Sequence, residues 1–172
     1  MTPIYLDATP LIALGAIGEL DQLTHFDGAL IVIPEVRKEV TTEPARTNLD
    51  RLLDRPDVQT VPALGNLDDD YAMEILGATT VTGDVRLVAA VLAHTDADEP
   101  AALVSDDRRL RTVARGLGAD VTGTIGVIVR AVEEGLEETA AKDLVRRVDQ
   151  HGLHMTGELR ETADQLIEDA AE

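Results

Sequence analysis

Cysteine and tryptophan are absent from this 172-residue chain, and its other aromatics are one phenylalanine and two tyrosines. Without cysteine there is no disulfide, no thiolate metal site and no cysteine nucleophile. With aromatics at 2%, a core must be packed from Leu, Val, Ile and Ala. No run approaches the roughly 18 apolar residues of a membrane span, and the start lacks the pattern of a secretion signal. The expectations are a cytoplasmic location and no membrane partner. The length suits one domain with a sizeable core.

Lysine is nearly absent too, occurring only as Lys38 and Lys142, while 33 acids face 15 bases for a net charge of −18. Acid-rich, Lys-poor composition resembles that of proteins from salt-accumulating halophiles, whose surface carboxylates keep them soluble. Concentrated salt screens charges within a few ångströms, so the global charge does not by itself exclude a nucleic-acid partner.

What the chain has is an alternation of strands and helices. PIYLDATPLIAL (Pro3–Leu14) opens it: Ile4, Tyr5 and Leu6 are strand-prone, Asp7 ends the run, and Thr9-Pro10 starts a helical pattern. Thr9 is the predicted N-cap and Pro10 the first helical residue. An acid therefore stands where a strand hands over to a helix, the edge at which open parallel sheets form ligand crevices. The alternative is a plain capping role for Asp7. ALIVI (Ala29–Ile33) reads as a strand buried on both faces, and PEVRKEV (Pro34–Val40) as a helix with Glu35 and Glu39 on one face. Glu35 reads as a solvated helix residue, and Asp68–Asp70 as a solvated helix start. Gly83 precedes a helix, Asp84–His94, that is apolar nearly all round and so predicted to be buried.

AALVSDDRRLRTVARGLG (Ala101–Gly118) is the second informative stretch. Leu103 and Val104 form a strand, and Ser105-Asp106-Asp107 marks its exit. Leu110, Val113, Ala114 and Leu117 follow with amphipathic helical spacing, while Arg108, Arg111 and Arg115 make a basic stripe on another side. That stripe is either a solubilising face or a phosphate-gripping edge. A short strand at Ala119–Thr122 and a helix from Thr124 follow, then two further helices with a break at His151-Gly152. The alternation predicts an α/β fold with a parallel sheet.

Several carboxylates thus recur at one edge: Asp7 and Asp106/Asp107 at strand exits, Asp84 and Glu39 on helices nearby. Oxygen-only ligands select hard cations such as Mg²⁺ or Mn²⁺, and such an ion can support in-line displacement at phosphorus. Among 33 acids some fall at element boundaries by chance, so both readings stand at this point.

The motifs also carry a resemblance. YLDATPLIAL, IVIPEVRKEV, GDVRLVAAVLA and LVSDDRRLRTVARGLGADVTGTIGVIVRA, in that order, resemble the four acidic segments of PIN-domain ribonucleases of the toxin type, in an archaeal and salt-adapted branch with a fused helical tail. The similarity runs from Ile4 to Leu136 and extends weakly into the tail. It implies a PIN-like three-layer α/β/α fold with a central parallel sheet and additional C-terminal helices. The implied division is a PIN-like domain over 1–136 and a helical extension over 137–172 packed on it. It places Asp7, Glu39, Asp84 and Asp107 at the catalytic site, with Asp7, Asp84 and Asp107 on the metal. Thr9, Ser105 and Asp106 would support them, and Arg108, Arg111 and Arg115 would bind RNA. The implied activity is Mg²⁺- or Mn²⁺-dependent endonucleolytic cleavage of single-stranded RNA, often with a small antitoxin partner and a homodimer. One departure is that the family often has a single Asp two residues after Ser or Thr, whereas Asp106 and Asp107 are both present here. Since side chains alternate along an extended strand end, Asp107 is expected to face Asp7 and Asp106 to bond turn amides.

The alternative of a different class is a catalytically idle domain of the same fold, serving as a binding or assembly module. A phosphatase fits poorly, because Asp7-Ala8-Thr9 lacks a second Asp and both lysines lie elsewhere.

Overall fold

The computed structural model describes residues 1–172. In chain order the elements are β1 (Pro3–Leu6), α1 (Ala8–Ala16), a 3₁₀ turn (Leu20–His25), β2 (Ala29–Ile31), α2 (Pro34–Glu39), α3 (Ala45–Leu53) and β3 (Val58–Gln59). There follow α4 (Asp69–Leu76), α5 (Gly83–Asp96), β4 (Ala102–Val104), α6 (Arg108–Gly116), β5 (Asp120–Thr122), α7 (Thr124–Glu133), α8 (Glu138–Val148) and α9 (Gly157–Ala171). A kinked segment, Asp149–Leu153, separates the last two helices and carries Gly152 at a positive φ of 138°.

All strand pairs are parallel, in the order β3-β2-β1-β4-β5. The chain builds outward from β1 to β3 on one side, then returns to lay β4 and β5 on the other. The order therefore reverses between β1 and β4, where Tyr5 pairs with both Ile31 and Leu103. Right-handed crossovers place helices on both faces. On one, α1 packs on α3, with α7 and α8 beside it and α9 against α7; on the other, α5 lies between α4 and α6. This is the three-layer α/β/α architecture with a central parallel sheet.

One apolar core runs through the layers. It includes Tyr5, Leu6, Ile31, Leu103, Leu87 and Ile128, and reaches Leu144, Val148 and Ile167 of the last two helices. Only one of its largest fully buried side chains, Tyr5, is aromatic. α5 is buried on nearly every side, as its all-round apolar sequence predicts.

Two expectations are corrected. The strand read at Ala29–Ile33 ends at Ile31: Ile33 is still extended (φ −71°, ψ 154°) but leads directly into Pro34, which has no N–H to give a ladder and opens α2. Asp68 and Asp70 are the solvated helix start expected, but Glu35 and Asp69 are not simply solvated. Arg86 on α5 donates from a single nitrogen, Nη1, to both Asp69 oxygens at 2.9 and 3.0 Å, and its Nε lies 3.5 Å from Glu35. That guanidinium ties α4 and α2 to the first turns of α5, and so fixes where Asp84 stands.

Candidate active site

The carboxyl ends of β1 and β4 lie side by side, and both exits carry acids. Asp7 follows β1 directly, its backbone N–H donating to the Val104 carbonyl at 2.9 Å. The residue is 3% exposed, yet its carboxylate is well supplied with donors. Oδ1 accepts the Ala8 N–H at 2.8 Å, and Oδ2 accepts the Ser105 hydroxyl at 2.6 Å and more distantly the Thr9 hydroxyl at 3.4 Å. Asp7, not Thr9, is therefore the N-cap of α1. Thr9 falls inside the first turn, where its hydroxyl accepts the Asp106 N–H at 3.1 Å. Pro10 is the third helical residue, still within the turn whose N–H groups have no helical partner.

The exit of β4 is a tight turn built around Ser105, which is wholly buried. Its hydroxyl gives its proton to Asp7 and accepts the Asp107 N–H at 3.0 Å. The two adjacent aspartates then diverge. Asp106 points toward α7, accepting the Thr124 N–H at 2.7 Å and the Thr124 hydroxyl at 2.5 Å. A Cβ on Gly123 would lie 2.6 Å from Asp106 Oδ1, so glycine there is what lets this clasp close. Asp107 caps α6, Oδ1 accepting the Leu110 N–H at 2.8 Å, and is otherwise exposed beside Asp7 and Asp84.

Asp84 and Glu39 arrive from helices. Thr82 caps α5 through the Val85 N–H, which sets Asp84 in the first turn. Glu39 ends α2 and its carboxylate lies against Gly83, where a Cβ would meet Oε1 at 2.5 Å. Residue 83 is thus where α5 starts and where Glu39 touches it.

The charges of these acids act on one another. Burial raises the Asp7 carboxyl above its ordinary pKa, with Asp107 adding to the rise and the bonds from Ser105, Ala8 and Thr9 opposing it. Burial also raises Glu39 and Asp84. The charges of Asp7 and Asp84 lift Glu39 further, and those of Asp7 and Asp107 lift Asp84. The one cation opposing this at Asp84 is Arg109. Its guanidinium donates to the Leu76 carbonyl and, with Asp84, Asp107 and Thr82, lines a cavity of about 240 Å³.

The structure thus brings together Asp7, Glu39, Asp84 and Asp107, with Ser105 and Thr9 between them, and turns Asp106 aside. Arg108 and Arg115 are exposed along α6, and Arg111 is half-buried with its Nη1 close to Gly123. Arg109 is the residue that sequence spacing missed. It falls outside the 108/111/115 stripe, and only the position of Asp84, on another element, singles it out. A more apolar groove of about 280 Å³, lined by Ile4, Phe26, Leu103 and Val121 among others, extends to the amino ends of the strands.

The donor set, all carboxylate, has the chemistry of a site for a hard divalent cation. Uncompensated negative charge at the switch point is what such an ion would neutralise. The side chains do not close into a ready-made cluster of three ligands. The acids stand around an open crevice that is exposed at Glu39 and Asp107 and closed beneath Asp7.

Fold and site define a three-layer α/β protein with an acidic crevice at the switch point of its sheet. A family model described as a PIN domain matches residues 3–169, and the chain belongs to that family. PIN domains are generally nucleases. No curated protein and no solved structure matches the chain. No helix is long and apolar enough to cross a membrane.

Proposed function

We propose that this PIN domain is a divalent-metal-dependent endoribonuclease that cuts single-stranded RNA. The observation that supports it best is the gathering of four acids from four separate segments at the crevice between β1 and β4, with Asp7, Glu39 and Asp84 each under the charge of at least one of the others. In this reading Asp7, Asp84 and Asp107 hold Mg²⁺ or Mn²⁺, and Glu39 completes the catalytic set. When bound, the ion offsets phosphate charge and makes water a usable nucleophile at neutral pH.

The chain's own groups have separable tasks. Ser105 and the Ala8 N–H fix the Asp7 carboxylate and oppose the proton uptake that its burial favours. Glu39 has a raised affinity for protons and stands exposed at the rim, which suits it to take a proton from an attacking water. Arg109 stands beside Asp84 at the cavity mouth, placed to meet phosphate oxygens.

The test is cleavage of an unstructured RNA with Mg²⁺ or Mn²⁺, with excess EDTA, and with the Asp7→Asn variant. Cleavage that needs the metal and disappears in the folded variant is the expected result. Full activity in EDTA or in Asp7→Asn overturns the assignment. The alternative is a catalytically idle module of the same fold. Calorimetric titration with Mn²⁺ separates the two, an idle module showing no site that depends on Asp7.

A further inference from the structure

With 33 acids for 15 bases, every cation has carboxylates to choose from. Eight of them take one: Arg37, Arg55, Arg86, Arg130, Lys142, Arg146, Arg147 and Arg160. The seven without an acid at ion-pair distance are not scattered. Lys38, Arg46 and Arg51 lie on α2 and α3, and Arg108, Arg109, Arg111 and Arg115 lie on α6. The first group begins one residue before Glu39, the second one residue after Asp107. Side-chain cations without an acid partner are therefore confined to these two groups, one starting beside Glu39 in the chain and the other beside Asp107.

The α2–α3 group has a cavity of its own. About 310 Å³ is enclosed by Arg37, Lys38, Thr41, Arg46, Leu49 and Asp50, with Val40 beneath. Asp50 is engaged by Arg37 at 2.9 Å, which leaves Lys38 and Arg46 free at the walls. Three cations against one acid give this pocket a net positive charge in a protein of net charge −18. Arg46 also sits in the first turn of α3, as Arg108 and Arg109 sit in the first turn of α6. A helix dipole disfavours a cation there by about 0.3–1 kcal/mol, so these positions run against stability and favour an incoming anion.

We infer that the α2–α3 cavity is a backbone-phosphate subsite for single-stranded RNA, holding the strand on one side of the crevice while α6 holds it on the other. The inference rests on the nuclease reading and deepens it. Lys38 supplies a mobile point charge and Arg46 a planar fork, a pairing suited to a phosphodiester with two free oxygens. Contacts of this kind position the strand and carry no base preference. Because the whole protein repels RNA, local unpaired cations are what make an approach over a few ångströms favourable in strong salt.

The experiment measures binding of a short oligouridylate by fluorescence anisotropy in an Asp7→Asn background, across the salt range in which the fold persists. The comparison is between that parent, the same protein carrying Lys38→Gln and Arg46→Gln, and one carrying Arg146→Gln and Arg160→Gln on α8 and α9. Losing one phosphate contact lowers the slope of log affinity against log salt by about 0.7 for a single strand. The Lys38/Arg46 pair should show that loss with weaker binding, and the Arg146/Arg160 pair, which removes the same charge from elsewhere, should not. An unchanged slope in the Lys38/Arg46 variant, or an equal change in both, overturns the subsite while RNA binding by the parent leaves the nuclease reading standing. A parent that does not bind the oligonucleotide overturns both. Circular dichroism of each variant verifies that the fold is kept.

Discussion

Ser105 Oγ lies 2.6 Å from Asp7 Oδ2, and the two residues are 3% exposed or less. This hydroxyl is the strongest donor to a carboxylate that burial would otherwise protonate more easily. Ser105→Ala removes a bond to a charged group, worth about 1.5–3 kcal/mol, and the melting temperature should fall accordingly. The same change raises the Asp7 pKa further, so the acid limb of RNA cleavage should move to higher pH. A pH–rate profile on the folded variant checks this, and an unmoved limb would show that Asp7 does not limit the reaction.

Asp7, Glu39 and Asp84 all bind protons more tightly folded than unfolded. For a carboxyl raised in this way, stability rises as pH falls through its folded pKa and levels off at the unfolded one. Asp7→Asn removes one such charge without changing shape. Its melting temperature should equal or exceed the parent's at neutral pH, and the difference should shrink as both are acidified at fixed salt. A variant that melts lower at neutral pH would show the carboxylate to be a net support of the fold.

The adjacent aspartates should separate cleanly. Asp106→Asn weakens the clasp on Thr124 and should cost about 1 kcal/mol, near the usual value of a cap, while keeping the Mn²⁺-induced rise in melting temperature. Asp107→Asn should keep the fold, since Asn caps helices as well as Asp, and lose most of the rise. A ligand in hundredfold excess over its Kd contributes about 2.7 kcal/mol, which is the increment at stake. The reverse pattern would assign the metal to Asp106.

Net charge of −18 on 172 residues predicts a fold that weakens as salt is withdrawn. Thermal melts from molar salt down to tens of millimolar should show a steady fall. A flat series would separate the acidic composition from salt adaptation.

Local signals carried the strand–helix alternation and the acids at element ends, because strand exits and helix starts are written in a few neighbouring residues. They could not decide between Asp7 and Thr9 as the cap of α1. Both are good caps, and what draws Thr9 away is the N–H of Asp106, 97 positions later in the chain. Glu35 looked solvated for the same reason, since its partner Arg86 belongs to α5. Helical spacing grouped Arg108, Arg111 and Arg115, whereas Arg109 gains its meaning from Asp84 across the crevice. The cavity of Lys38 and Arg46 joins two helices, and no single periodicity contains it.

The reversal of strand order at β1 also has a consequence in time. As the chain leaves the ribosome, Asp7 and Glu39 emerge early, but β1 waits for its second neighbour until Ala102–Val104 has been made. The turn that aims Asp107 is fastened later still, when Thr124 arrives to hold Asp106. Through more than half of its own synthesis the nascent polypeptide therefore carries only part of its acid set, with no partner strand to set the crevice. Parallel pairings this distant in sequence close slowly. On the proposed nuclease reading, the crevice is therefore completed only late in synthesis, after the strand that leads into Ser105 and Asp107 has been made.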